Sequence, residues 1–277
     1  MITYSKQRIF YLILGFEILF LASCSMGSKE DYNVKAHEFY QKGDYDNAII
    51  YINRAIESDS SNSVFFSLRG SSKLGLNDVI GSIEDFNQAI LLDSNKAKYY
   101  YKRGKAYQEL TNLDIALADF SKAIFLDPGF YEAYNERGLI LNKNGKHDDA
   151  LDDLNKTISL NNITAKFYNN RGITKENLND FNGAIEDYNS AISIDSKDYL
   201  FYFNRSVSKV ALKQYDSALE DISMAISLNS KISILYNNRG QLLNFLNRTE
   251  SACEDFLKAS NMGDKESNYF YNKNCLK

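Results

Sequence analysis

The chain has 277 residues, of which 44% are hydrophobic, 25% are charged and one, Pro128, is proline; no Trp is present. That composition fits an all-helical protein with short turns. A net charge of −4 and a pI near 5.4 exclude a nucleic-acid binder, because no basic stripe is available to neutralise phosphates.

The first element in chain order is not part of a fold. Lys6 and Arg8 form a basic stretch, Ile9 to Phe20 form an apolar run interrupted by Glu17, and Leu21-Ala22-Ser23-Cys24 closes it with small residues. This layout is a secretory signal, since the apolar run is too short for a comfortable transmembrane helix. Its ending resembles the lipobox of bacterial lipoproteins, an aliphatic residue and two small residues before a cysteine. The resemblance implies a signal peptide over 1–23, a lipid on Cys24 and a tether over 24–28, with an uncleaved signal anchor or a chance cysteine as the alternatives. Several acyl chains, each contributing roughly 0.8 kcal/mol per buried CH₂, would hold such a chain durably on a membrane. A tether this short reaches at most about 14 Å, so the fold would begin near the bilayer. Ser25 resembles the residues that permit outer-membrane sorting, so the expected location is a bacterial cell envelope, at the outer membrane.

A period of 34 residues then governs the chain. Arg69-Gly70, Arg103-Gly104, Arg137-Gly138, Arg171-Gly172, Arg205-Ser206 and Arg239-Gly240 recur at that spacing, with Lys35-Ala36 upstream. A fixed period of this length marks a solenoid of stacked supersecondary units. Seven repeats tile 29–62, 63–96, 97–130, 131–164, 165–198, 199–232 and 233–266, and 267–277 remains as a C-terminal cap. Each repeat reads as a helical hairpin. In the third, Tyr100, Arg103, Gly104 and Tyr107 line one helix face, and Leu113, Ala116, Phe120, Ala123 and Ile124 line a second. Thr111-Asn112 forms the polar turn between them. Asp44, Asp78 and Asp180 occupy the slot of Asn112 as expected N-caps of second helices. Asp127-Pro128-Gly129 is a stop signal.

Numbered from 1, the third repeat places Tyr100, Gly104, Tyr107, Ala116, Phe120, Ala123 and Pro128 at slots 4, 8, 11, 20, 24, 27 and 32. This pattern resembles the tetratricopeptide repeat; the fifth repeat matches through Tyr168, Gly172, Ala184, Tyr188 and Ala191 but has Lys175 at slot 11. The resemblance implies an all-α, right-handed superhelical solenoid of seven helix-turn-helix repeats plus a capping helix. Small residues at slots 8, 20 and 27 let helices approach closely, and aromatics at slots 4 and 24 are expected to fill the space between hairpins. Asp85, Asp119, Asp153, Asp187, Asp221 and Asp255 stand at slot 23 wherever slot 7 is Arg. An Arg–Asp brace within each hairpin is expected, an anion-binding ladder being the alternative. As exposed pairs, each would contribute under about 1 kcal/mol. At the C-terminal end, 264–272 is expected to form a short helix in which Tyr269, Phe270 and Tyr271 cover the last hairpin. Cys253 and Cys275 are a candidate disulfide there, with two free thiols as the alternative.

Chemistry is sparse. His37 and His147 lie in different repeats, and His147 occupies a slot that elsewhere holds Tyr or Phe, which points to packing. No C-x-x-C, H-E-x-x-H, G-x-S-x-G or phosphate-cradling glycine loop is present. No catalytic residue, metal site or cofactor is expected, and the chain reads as a non-enzyme. The resemblance implies that each first helix lines a concave groove through slots 2, 5, 6, 9, 12 and 13. Asparagines gather at slots 5 and 6: Asn135, Asn169, Asn170, Asn204, Asn237 and Asn238. Asn170, Asn204 and Asn238 form a ladder at slot 6, similar to one that grips the backbone of an extended peptide in some tetratricopeptide proteins. A chain simply rich in asparagine is the alternative. Leu68, Tyr101 and Lys102 replace the asparagines earlier, and Phe203, Val207, Val210 and Phe245 form an apolar patch beside them. A carboxylate clamp is not clearly present; Lys98, Lys102 and Lys105 come nearest, offset by Glu109. The expected function is a membrane-anchored scaffold binding peptide or protein segments in this groove. The alternatives are a chaperone-like holder of exported chains and a regulator of a cell-wall enzyme.

Overall fold

The computed structural model describes residues 29–276, so the signal segment 1–23, Cys24 and the tether 24–28 lie outside the described residues. Two compact bodies divide the chain, one ending at Leu126 and one beginning at Asp127. The first holds three hairpins: α1 (Lys29–Gln41) with α2 (Tyr45–Ser58), α3 (Ser63–Gly75) with α4 (Val79–Leu92), and α5 (Ala97–Glu109) with α6 (Leu113–Leu126). The second holds four: α7 (Tyr131–Lys143) with α8 (His147–Leu160), α9 (Ala165–Asn177) with α10 (Phe181–Ile194), α11 (Tyr199–Ala211) with α12 (Tyr215–Leu228), and α13 (Ser233–Phe245) with α14 (Thr249–Asn261). A final helix, α15 (Lys265–Asn274), follows. The first helix of every hairpin begins on slot 1 of its repeat. Within each body the second helix of one hairpin packs on the first helix of the next.

Two turn chemistries set this regularity. Inside every hairpin one residue at slot 15 is left-handed: Gly43, Asn77, Thr111, Gly145, Asn179, Lys213 and Asn247 all have φ between 58° and 77°. There the amide of slot 16 bonds back to the carbonyl of slot 11, as in Asp44 N–H to Phe39 and Asn112 N–H to Tyr107, closing the end of the first helix. Gly and Asn tolerate that conformation, whereas Thr111 and Lys213 hold it at some cost. Asp44, Asp78 and Asp180 then cap the second helices, each side chain accepting the backbone N–H three residues on. Between hairpins, slot 31 is always Asp or Asn. Asp59, Asp93, Asp127, Asn161, Asp195 and Asn229 each accept the N–H two residues ahead. The stop read at Asp127-Pro128-Gly129 is one instance of this wider device.

Small residues bring the paired helices together. Ala48, Ala116, Ala150, Ala184, Ala218 and Ala252 at slot 20, with the alanines at slot 27, are buried. A Cβ on Gly104 would lie 2.8 Å from Phe120 Cε1, and one on Gly172 would lie 2.6 Å from Tyr188 Cε1. The slot 24 rings therefore fill space inside their own hairpin, against slot 8, and not between hairpins as the pattern first implies. The slot 4 aromatics do something else: Tyr100 and Tyr202 lie 5.6 and 5.5 Å beneath the guanidinium groups of Arg103 and Arg205.

Each slot 7 Arg meets its slot 23 Asp, as in Arg103 Nε and Nη2 donating to Asp119 at 2.9 and 2.7 Å. These pairs are not surface pairs. The carboxylates are 3–7% exposed, and the arginines donate two parallel hydrogen bonds. The remaining nitrogen reaches back to slot 25 of the preceding hairpin: Arg69 to Asn53, Arg103 to Asn87, Arg171 to Asn155 and Arg205 to Asn189. One side chain thus braces its own hairpin and ties it to its neighbour. Lys175, the departure at slot 11, is a second cation on Asp187 at 2.9 Å, and Lys73 and Lys209 repeat the arrangement on Asp85 and Asp221.

The cap helix α15 begins behind Asp264, which accepts the Ser267 N–H. Phe270 stacks on Phe256 at 5.3 Å, and Tyr271 packs on the same cluster. Tyr269 is 58% exposed and takes no part in the covering role expected of it. Cys253 and Cys275 are joined as a disulfide with their Cα atoms 5.7 Å apart. His147 is half-buried, with Nδ1 2.7 Å from Asn142 Oδ1.

Candidate interaction groove

The slot 5 asparagines do not face a groove. Asn135, Asn169 and Asn237 are buried between hairpins, and each is engaged by the protein itself. Asn170 Nδ2 donates to Asn135 Oδ1 at 3.0 Å, and Asn204 Nδ2 donates to Asn169 Oδ1 at 2.9 Å. Asn237 donates to Glu266 of the cap and accepts from Gln241. Slot 6 therefore stitches to slot 5 of the preceding repeat. The physical reason is steric: slot 5 points along the stack, where a buried amide must find a partner. Asn170, Asn204 and Asn238 remain half-buried. Asn238 Nδ2 bonds back to the Ile234 carbonyl.

The same stitch appears in the first body with different chemistry. Lys102 Nζ, at slot 6, donates to the hydroxyls of Ser71 and Ser67 at 2.7 and 3.3 Å. Burial, with the nearby Lys98 charge, lowers the Lys102 ammonium to about 8. His37 is lowered as well, by burial and then by the charges of Lys102 and Lys98. Where slot 6 is Leu68, no donor exists, and Asn33 Oδ1 at slot 5 is buried without a partner. Leu68 itself belongs to a hydrophobic cluster with Ile52 and Phe65. Tyr101 is half-buried, its ring 5.8 Å from that of Phe120.

In the second body α11, α12 and α13 enclose a cleft of about 320 Å³. Val207, Val210 and Phe245 form its mouth and are 43, 39 and 63% exposed. Ile222 and Leu242 form its floor; the Tyr215 ring lies 5.0 Å from that of Phe245, and Asn238 and Gln241 stand at the rim. Phe203, grouped with this patch from the sequence, packs into two core clusters and does not line the cleft. Sequence reasoning missed Gln241, although it sits at slot 9, a position the pattern assigns to the groove. Elsewhere in this body Ser208 donates to the Glu176 carboxylate, and burial raises the Glu176 pKa above its usual value.

Family models described as the tetratricopeptide repeat match residues 32–62, 101–160, 165–198 and 234–263. The chain belongs to the tetratricopeptide repeat family. Among solved structures, a tetratricopeptide repeat protein from Parabacteroides merdae ATCC 43184 is 20% identical with a TM-score of 0.64, covering 88% of this chain and 97% of that one. YrrB, described as a TPR protein with an unusual peptide-binding site, is 20% identical with a TM-score of 0.58 over 65% of this chain and 92% of its own. MamA is 24% identical with a TM-score of 0.54, over 61% and 92%. At these identities the likeness concerns the fold. No curated protein matches the chain.

Tetratricopeptide repeats are protein-interaction modules, and stacked repeats present extended binding surfaces. In this tetratricopeptide chain the Arg, Lys and Asp side chains of slots 7, 11 and 23 are committed to bracing. The cleft presents carbon surface and amides. Among the described residues no group of His, Cys, Asp or Glu is placed to hold a metal ion. Among them, too, no helix is long and apolar enough to cross a membrane.

Proposed function

We propose that this chain is a membrane-anchored interaction scaffold of a bacterial cell envelope, holding extended protein segments along the first helices of its hairpins. The observation that carries the reading is the open cleft at slots 6, 9, 10, 12 and 13 of the last two repeats. Its apolar walls stay exposed beside the braced Arg205, Lys209 and Arg239. An uncovered apolar surface rimmed by amides is a recognition surface for a chain segment. The half-buried Asn170 and Asn204 side chains use one amide hydrogen in the stitch, which leaves each a carbonyl oxygen for a backbone N–H.

Anchoring rests on the lipobox-like Leu21-Ala22-Ser23-Cys24, and the Cys253–Cys275 bond fits an oxidising compartment. Photo-crosslinking from slot 6 and slot 13 positions in the native envelope is the direct test. One or two defined partners captured at Asn204 or Phe245 support the scaffold; a broad smear of exported chains would replace it with a chaperone-like holder. Metabolic labelling with a fatty-acid analogue tests the anchor separately, and label persisting on a Cys24→Ala variant removes it.

A further inference from the structure

We infer that the cleft between α11, α12 and α13 is an anchor pocket for one bulky, uncharged apolar side chain of an extended peptide, with that peptide's backbone bonded to the amides at the rim. This rests on the groove reading above and adds the chemistry of what is held. The walls and floor are mostly carbon: Val207, Val210 and Phe245 at the mouth, the Tyr215 ring beside Phe245, and Ile222 and Leu242 beneath. No charged side chain lines the cleft. A carboxylate or ammonium entering it would lose water and find no counter-charge, which disfavours either strongly. The first body is different at slot 6, where Lys102 stands in place of Asn238 with the Lys98 charge nearby.

The rim narrows the choice further. Asn238 Nδ2 donates to the Ile234 carbonyl, and Gln241 Nε2 donates to Asn237 Oδ1. The Ser206 hydroxyl donates to the Phe203 carbonyl. One hydrogen of each amide is thus directed into the protein, which leaves Asn238 and Gln241 each an oxygen and a second N–H for a guest. A side chain that both accepts and donates matches a peptide unit, whose N–H and carbonyl an extended peptide supplies on either side of an anchored side chain.

The test uses the full-length protein and a set of fluorescent Gly-Ser-Asn host peptides carrying one central Phe, Leu, Ala, Asp or Lys. The Phe and Leu peptides are expected to bind at least about tenfold more tightly than the other three. Val210→Asp and Phe245→Ala, both at exposed positions, should each weaken the Phe peptide on the order of tenfold with unchanged thermal melts. Phe125→Ala, on an exposed face of α6 outside the cleft, should leave binding unchanged. Equal affinity for the Asp or Lys peptide overturns the pocket assignment, as does unaltered Phe-peptide binding by Val210→Asp. If that unaltered binding is instead lost in Asn170→Ala/Asn204→Ala, the groove reading stands and the pocket alone falls. No binding of any peptide to the wild-type chain removes both. Peptide-free self-association that Phe245→Ala disperses would assign the cleft to a second copy and also overturn the proposal.

Discussion

Replacing Arg103 by Met and, separately, Arg205 by Met changes the same slot in two hairpins whose Asp partners differ in their contacts from slot 11. Both arginines donate twice to a buried Asp, at 2.9 and 2.7 Å for Arg103 and 2.8 and 2.6 Å for Arg205. Both reach an Asn of the preceding hairpin at 2.7 Å, and both lie over a slot 4 tyrosine. Only Asp221 has a second cation, Lys209, at 2.7 Å; slot 11 beside Asp119 is Tyr107. Stripping the partner from a buried carboxylate costs about 3–5 kcal/mol, and water admitted where the 21%-exposed Arg103 stood reduces that to about 2–3. A charge-assisted hydrogen bond that survives, as from Lys209, retains about 1.5 kcal/mol or more. Arg103→Met should therefore destabilise by about 1.5 kcal/mol more than Arg205→Met. Repeat arrays need not unfold in one step. Amide hydrogen exchange resolved to α5–α6 and α11–α12 is accordingly the primary assay, with urea unfolding followed by tyrosine fluorescence as support. Losses equal within about 0.5 kcal/mol would refute the argument that slot 11 sets the cost.

Three further outcomes follow from the same geometry. Gly104→Ala should cost about 1 kcal/mol, the overpacking against buried Phe120 exceeding the gain in helix propensity. Adding Phe120→Ile should recover part of the loss in a double-mutant cycle, because the chain already pairs Ala36 with Ile52 and Ser206 with Ile222 at these slots. Lys102→Met should stabilise the protein at pH 7 by about 1–3 kcal/mol, since the folded state there holds a charged amine whose pKa is lowered to about 8. A base depressed by folding penalises the native state fully below the folded value, and the penalty disappears as pH rises through about 8 to 10.5. The gap between variant and wild type should close over that window in thermal melts; a gap that widens would contradict the sign. Reduction of the Cys253–Cys275 bond, or Cys275→Ser, opens a loop with a sequence separation of 22, worth about 3 kcal/mol of chain entropy. The loss should appear as faster exchange confined to α15 and α14, and unchanged protection of α15 would show that Phe270 and Glu266 hold the cap unaided.

Much of the fold was legible because each repeat satisfies itself locally. The 34-residue spacing placed the hairpins, Asp44, Asp78 and Asp180 announced caps, and slot 23 Asp covaried with slot 7 Arg along the chain. The groove was less legible. A period of 34 says which residues are equivalent, and it is silent on which equivalent residues touch the next hairpin. Asn135 and Asn169 share a residue type with Asn170 and Asn204, yet one slot of helical rotation buries the first pair and leaves the second half-buried. Phe203 reads as groove surface for the same reason, yet it packs, half-buried, against two core clusters.

The sequence by itself determined the repeat, its hairpin and its charge pairing, since these follow from spacing within one 34-residue unit. The tertiary structure decided that the Arg–Asp pairs are buried and tie neighbouring hairpins, that slot 6 stitches to slot 5, and that Val207, Val210 and Phe245 surround a cleft. Those facts depend on distances between side chains of adjacent hairpins. Only the packing of one helix pair on the next fixes such distances.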